Sequence, residues 1–205
     1  MESLRQQLRE KQAPIKSEYR NHPSAAVVTL KSTGSLDDSS VTCKLSTGAA
    51  VKEASRVAGL HPKAGGPDAE ISGELCSGDM LLDALVACAG VTLKAVATAL
   101  QIPIKEGNVT AEGDLDFKGT LGVDKQAPVG ITNIRLGIDL KFGESEDGKE
   151  VTEREIESLG NLTERYCVVL QTLVKKPEIN VNVVGRGGGK EDDDVGREVR
   201  WGKSY

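Results

Sequence analysis

Four cysteines, at positions 43, 76, 88 and 167, are the side chains best suited to chemistry beyond acid–base exchange. No two of them form a C-x-x-C pair. The two histidines, His22 and His61, give no close ligand spacing with them, so the pattern does not point to zinc. A thiol reacts as its thiolate, and at an ordinary pKa of ~8.5 only a few per cent of it is ionised at neutral pH. The chemical question is which cysteine, if any, sits where the thiolate is favoured.

Cys88 lies in the middle of SGDMLLDALVACAGVTLKAVATAL, residues 77–100, the longest helix-compatible apolar stretch. Asp79, Asp83 and Lys94 interrupt it, whereas a membrane span needs about 18 or more consecutive apolar residues. A helix apolar all round is expected to be buried on all sides. Ser77 is predicted as its N-cap, with Asp79 at the positive end of the dipole, and the helix should end near Gln101, before Pro103. Cys88 is far from that N-terminus, and dipole stabilisation fades within the first turn. Burial would raise its pKa, so its activation is expected to need a cation from elsewhere, from the N-terminal region or a partner chain. Cys76, just before the helix, is better placed electrostatically. Cys43, in the alternating VTCKLS, reads as an inward core thiol.

Cys167 falls in a second helical region opened by a capping box, Thr152 with Glu155. Its apolar seam runs through Ile156, Leu159, Leu162, Tyr166, Val169 or Leu170, and Leu173. Gly160-Asn161 is predicted to kink or split this region. Residues 59–76, rich in Gly and Pro, form a long loop feeding the central helix and are expected to line the pocket that Cys88 sees. His61 within it reads as a surface-loop histidine.

The other elements are a short helix over 2–12 that stops before Pro14, with an irregular lead-in to residue 24, and strands at 25–32, 41–46 and 49–54. An antiparallel pair follows over 109–118 and 134–142, then a last strand, EINVNVVG. Residues 186–205 read as a flexible tail, and the part beyond 187 as dispensable for the fold. Its glycines do not fit a phosphate loop, because Glu191 follows the lysine where Ser or Thr is needed. This order predicts an α+β fold, with residues 25–185 as the main domain and antiparallel sheets wrapped around a buried central helix.

Composition narrows the function. The net charge is −5 and aromatics are 3%, which argues against phosphate-backbone binding and against a stacking platform for single strands. The first twenty residues hold no apolar run, so a cytoplasmic address is expected, with no membrane partner and no disulfide framework.

In this order of elements the chain resembles the OsmC/Ohr family, the osmotically inducible protein C and organic hydroperoxide resistance proteins. VTCKLSTG resembles the family's second strand, LLDALVACAGVTLKAVA its central helix with a cysteine, and RYCVVLQTL its second helix with another. The resemblance implies an intertwined homodimer and a thiol peroxidase without a cofactor. It assigns Cys88 as the cysteine that attacks an organic hydroperoxide and Cys167 as the one that closes a disulfide, which an external dithiol then reduces. Two departures stand out. Val168 takes the place of a proline usual after the second cysteine. The glutamate expected ten positions before the first cysteine falls on Gly78, beside Asp79. For the arginine that the family uses to poise the thiolate, Arg20 and Arg56 are the candidates. These departures favour an alternative, a non-catalytic small-molecule-binding or stress protein on the same fold. The paired cysteines favour the enzyme.

Overall fold

The computed structural model describes residues 5–6, 10, 12–14, 17, 21–22, 33–36, 43–46, 56–64, 66, 75–122, 124–144, 148, 150–186 and 198–205. At the N-terminus, residues 5–6, 10, 12–14, 17 and 21 are helical, so helical backbone recurs at and beyond Pro14, where the expected helix stopped. The strands expected at 25–32 and 49–54 lie outside the described residues.

The first sheet has the order β1 (Thr33–Leu36), β2 (Cys43–Ser46), β3 (Arg56–Gly59), β4 (Leu75–Cys76). The first two pairings are antiparallel. The last, β3 with β4, is parallel, with Gly59 opposite Cys76. Cys43 pairs with Leu36 and with Ala58.

Helix α1 follows directly over Ser77–Leu100. Its N-cap is Cys76, in extended conformation, rather than the expected Ser77, because the chain leaves β4 and enters the helix without a linker. Its C-terminus closes as a Schellman motif: Gln101 adopts φ 61° and the Ile102 N–H donates to the Ala97 carbonyl at 2.9 Å. Leu85, Ala89, Leu93 and Ala97 form one buried stripe along α1. The all-round burial expected from its composition is not what a single chain provides: Leu81, Val91 and Leu100 are exposed, Val91 at 72%. By length and composition α1 could also cross a bilayer; here it packs against β5, α3 and α4, defined next.

Strands β5 (Ile104–Leu115) and β6 (Ile131–Phe142) form a long antiparallel ladder. Val109, Ala111, Gly113 and Leu115 face inward, with Ile134, Leu136, Leu140 and Phe142 opposite, as the alternation predicted. Gly113 sits close to α1: a Cβ there would stand 3.1 Å from the Ile131 side chain and 3.4 Å from that of Leu82, so these side chains would have to give by a few tenths of an ångström. Arg135 pairs with Glu112 and Asp114 on the wet face and holds the Asp114 carboxyl at a pKa of about 2. The strand stops at Leu115, short of the expected Lys118. The Asp116 side chain accepts the Lys118 N–H, which turns the chain into the short helix α2 (Phe117–Thr120).

Helices α3 (Glu153–Tyr166) and α4 (Val168–Lys175) complete the core. The capping box is present: Thr152 accepts the Glu155 N–H, and the Glu155 carboxylate accepts the Thr152 N–H at 2.8 Å. Helix α3 runs unbroken through Gly160-Asn161, and the break falls at Cys167 instead. Leu93, Ala97, Ile102 and Leu159 make one core cluster. Leu85, Ala89 and Cys167 make the other, with Cys88, Val109, Ile134, Val169 and Leu170 packed on it.

The last two strands, β7 (Asn180–Arg186) and β8 (Glu198–Ser204), pair antiparallel over their full length, with Val183 opposite Trp201. The end of the expected flexible tail is therefore an ordered strand.

Candidate functional site

Cys88 and Cys167 meet inside the second core cluster. Cys88 is carried halfway along α1, where its neighbours one turn away are Leu85 and Thr92. Cys167 is fully buried and caps two helices at once: it is the last residue of α3's frame and the N-cap of α4. Its N–H donates to the Thr163 carbonyl at 2.9 Å, and its carbonyl accepts the Gln171 N–H at 2.9 Å. The Gln171 side chain donates to the Glu164 carbonyl at 3.0 Å and ties α4 back to the end of α3.

The two sulfurs are chemically unequal. Burial pushes the Cys88 thiol up, but donors to its sulfur outweigh that: the Val169 N–H, the Cys167 thiol, the Val168 N–H and the Thr92 hydroxyl. Its pKa is lowered. For Cys167 burial again pushes up and the Leu170 N–H pulls down, but the hydrogen bond to Cys88 and the Cys88 charge add to burial. Its pKa is raised. Of the pair, Cys88 is therefore the sulfur that ionises first, and Cys167 keeps its proton to higher pH.

Helix α4 supplies what the distant N-terminus of α1 cannot. The first N–H groups of a helix have no partner within it, and those of Val168 and Val169 help to lower the Cys88 pKa. The expected cationic activator does not act from the described residues: no basic side chain contributes to the lowering. Arg20 lies outside the described residues, and of Arg56 only the main chain, in β3, is described. Asp79 is nine residues before Cys88 on one helix, about 14 Å at 1.5 Å per residue, too far to touch the thiol.

Cys76 is separated from Cys88 by twelve residues of α1, about 18 Å. A disulfide needs Cα atoms within about 7 Å, so these two cannot bridge. His61 packs on Phe117 with ring centroids 4.9 Å apart and is not among the groups acting on either thiol. Beside the helix break, Tyr166 and Val168 line a cleft of ≈ 550 Å³ with Arg165, Gln171, Thr172 and Lys175. Among the described residues, no group of three or more His, Cys, Asp or Glu gathers as a metal site.

Residues 70–182 match the family profile described as OsmC-like protein, more than half of the chain. The chain belongs to the OsmC-like family. This OsmC-like protein is similar in fold to an OsmC-like protein from Mycoplasma pneumoniae, at 17% identity and a TM-score of 0.55, over 73% of this chain and 89% of that one. It is also similar to an OsmC-like protein of unknown function from Vibrio cholerae, at 12% identity and a TM-score of 0.55, over 71% and 94% of the two chains. At these identities the likeness establishes the fold alone. A search of curated proteins found no significant sequence match. Both cysteines of the pair fall within the OsmC-like segment; β8 and Cys43 lie outside it.

The sequence of this OsmC-like protein singles out both cysteines as candidates, but not the groups that act on them. Thr92 was visible as the residue one turn beyond Cys88. The donors from Val168 and Val169 are main-chain groups, which residue type does not mark.

Proposed function

We propose that the protein is a thiol-dependent peroxidase that reduces organic hydroperoxides. The observation that carries this reading is the contact between a thiol favoured as thiolate, Cys88, and a protonated thiol, Cys167, in one apolar cluster. The Cys88 thiolate attacks the outer peroxide oxygen. The O–O bond breaks, the alkoxide leaves and takes up a proton as the alcohol, and Cys88 becomes a sulfenic acid. Cys167 then attacks the Cys88 sulfur as thiolate. Its proton and the sulfenic hydroxyl leave as water, and a disulfide forms. The sum is one hydroperoxide and two thiols giving one alcohol, one water and one disulfide. An external dithiol returns both thiols and is itself oxidised.

A second copy of the chain is proposed to cover the exposed face of α1, giving a homodimer.

The test is consumption of cumene hydroperoxide with a dithiol present. Wild type should turn over, Cys88→Ser should not, and Cys167→Ser should stop after one equivalent with Cys88 as a sulfenic acid. A Cys88–Cys167 linked peptide in the peroxide-treated protein supports the reading. Free thiols throughout after excess hydroperoxide would sink it and leave the non-catalytic binding protein.

A further inference from the structure

The β7–β8 hairpin has one apolar face, and among the described residues nothing covers it. Its register sets Val183 opposite Trp201 at the centre, with Val181 opposite Lys203 and Gly185 opposite Val199 on either side. Directly opposed residues share a face, so these six lie together. Ile179 and Tyr205 extend the same face by one pair, exchanging main-chain hydrogen bonds at 2.9 and 3.4 Å. Asn180 with Ser204, Asn182 with Gly202, and Val184 with Arg200 make the other, more polar face. The two strands pack chiefly on each other, and residues 180–185 and 199–205 are all exposed. Val183 is 55% and Trp201, the one tryptophan of the chain, 52% exposed. An isolated two-stranded hairpin is marginally stable in water at best, and a further layer on its apolar face makes it stable. Strand β8 lies beyond the OsmC-like segment, so this face is an addition to the matched fold.

We propose that the apolar face of the hairpin packs on the same face of a second copy, the two hairpins running antiparallel about a two-fold axis at the Val183–Trp201 pair. Such a contact is isologous, the same patch serving both copies. Val183 then meets the partner's Val183, and the two Trp201 rings meet each other. Gly185, above which a Cβ would touch nothing, leaves a hollow that receives the partner's Val181. Charge selects the antiparallel arrangement. Lys203, the one charged side chain of the face, lies over the Tyr205 ring at 4.6 Å, two residues from the axis. The two lysines therefore stand about 13 Å apart along the strands, at about 3.3 Å per residue, beyond the screening length of ~8 Å. Charge also disfavours a lipid surface as the occupant. Anionic headgroups attract clusters of Lys and Arg, whereas this face carries one cation and the chain a net charge of −5.

The face is about 23 Å long and two strands wide, and it buries on the order of 300 Å² per copy against about 800 Å² per partner in a standard interface. It is too small to hold a dimer alone. The contact therefore adds to the homodimer proposed through α1, on which it rests, and places a second patch on the same axis. It does not depend on peroxidase chemistry.

Trp201 reports the contact directly. In the dimer its emission should lie at shorter wavelength, and iodide should quench it less, than at dilutions where light scattering shows monomer. Trp201→Ala removes the central aromatic and should raise the dimer dissociation constant about thirtyfold. Val183→Cys keeps the hairpin and places two thiols across the axis, so it should form an intermolecular disulfide in air. Asn182→Cys, one residue along and on the other face, should not. A dimer in which iodide quenches Trp201 as freely as in the monomer, or equal linking of the two cysteine variants, overturns the inference and leaves the α1 dimer standing. A monomer at all concentrations refutes both. Trp201 emission that shifts only with vesicles of phosphatidylcholine and phosphatidylserine assigns the face to lipid and overturns the proposal.

Discussion

Leu85→Ala tests the packing that brings the two thiols together. Leu85 is fully buried, between Ala89 on its own helix and Cys167 at the α3–α4 break. Val109 and Ala111 of β5, Ile134 and Leu136 of β6, and Val169 and Leu170 of α4 pack around the same cluster. Removing a buried leucine side chain loses its transfer free energy and leaves a cavity, costing about 2.7–5.0 kcal/mol according to how far the walls collapse. These walls resist collapse. One is a ladder of twelve-residue strands, and the other is a helix pair tied by Cys167 and Gln171. The expected loss is therefore near the middle of that range, about 3–4 kcal/mol, against a total stability of about 5–15 kcal/mol. Urea unfolding under reducing conditions, with the slope unchanged, measures it. The thiol pair gives a second readout: with α4 free to shift, diamide should form the Cys88–Cys167 disulfide more slowly than in wild type. A loss below about 1 kcal/mol would show that the cluster is not the core described, and the argument from it to the thiol contact would fall.

Val91, exposed on the opposite side of α1, should behave in the contrary way: Val91→Asp is expected to leave the chain folded but to convert a dimer to monomer by light scattering. A wild-type chain that is already monomeric at micromolar concentration refutes the dimer. Deleting 198–205 removes the partner of β7, so the β7 amides should become fast-exchanging while those of α1 stay protected; unchanged β7 exchange would show that β8 contributes nothing. The stability of the reduced protein should depend on pH through the thiol pair. The Cys88 pKa is lowered in the fold from an ordinary 9.0, so its contribution grows as pH rises through the lowered value and is complete above 9.0. The Cys167 pKa is raised from the same value, so its contribution is complete below 9.0 and is lost as pH climbs through the raised value. The stability difference between wild type and Cys88→Ser should rise toward about pH 9 and then fall, and a flat or falling difference between pH 7 and 9 in urea titrations would contradict the assignment.

Helix α1, the capping box and the β5–β6 ladder were legible because each rests on a local pattern: a long, mainly apolar helix-compatible run, T-x-x-E spacing, and alternation. The errors lie where a side-chain contact or burial that the pattern does not show outweighs it. Phe117 continues the alternation of β5, yet the Asp116 carboxylate captures the Lys118 N–H and ends the strand. Gly160-Asn161 is the weakest helical dipeptide of α3. It holds because Leu159 and Thr163 are buried on either side, with the Thr163 hydroxyl bonded to the Leu159 carbonyl at 2.7 Å. The break falls instead at Cys167, a position without any breaker residue. Val168 counted against activity as a departure from the family pattern. In the fold its N–H, which a proline would lack, is one of the donors to Cys88.

The asymmetry of the pair also orders the proposed reaction. Of the two thiols Cys167 keeps its proton to higher pH, partly because Cys88, once ionised, places a negative sulfur beside it. Cys88 is thus the sulfur ready to attack, and Cys167 is held back from premature ionisation. Conversion of Cys88 to a neutral sulfenic acid removes that charge. The Coulombic part of the upward shift on Cys167 disappears with it, while the Leu170 and Val169 N–H groups, which pull its pKa down, remain in place. Cys167 then ionises more readily, at the moment when its thiolate has an electrophilic sulfur to attack. In the proposed reaction the first step thus favours the second. Cys167 in the Cys88→Ser protein, which has a neutral neighbour throughout, should accordingly alkylate with iodoacetamide faster at neutral pH than in the wild type. An unchanged or slower rate would mean that the charge on Cys88 does not govern its partner.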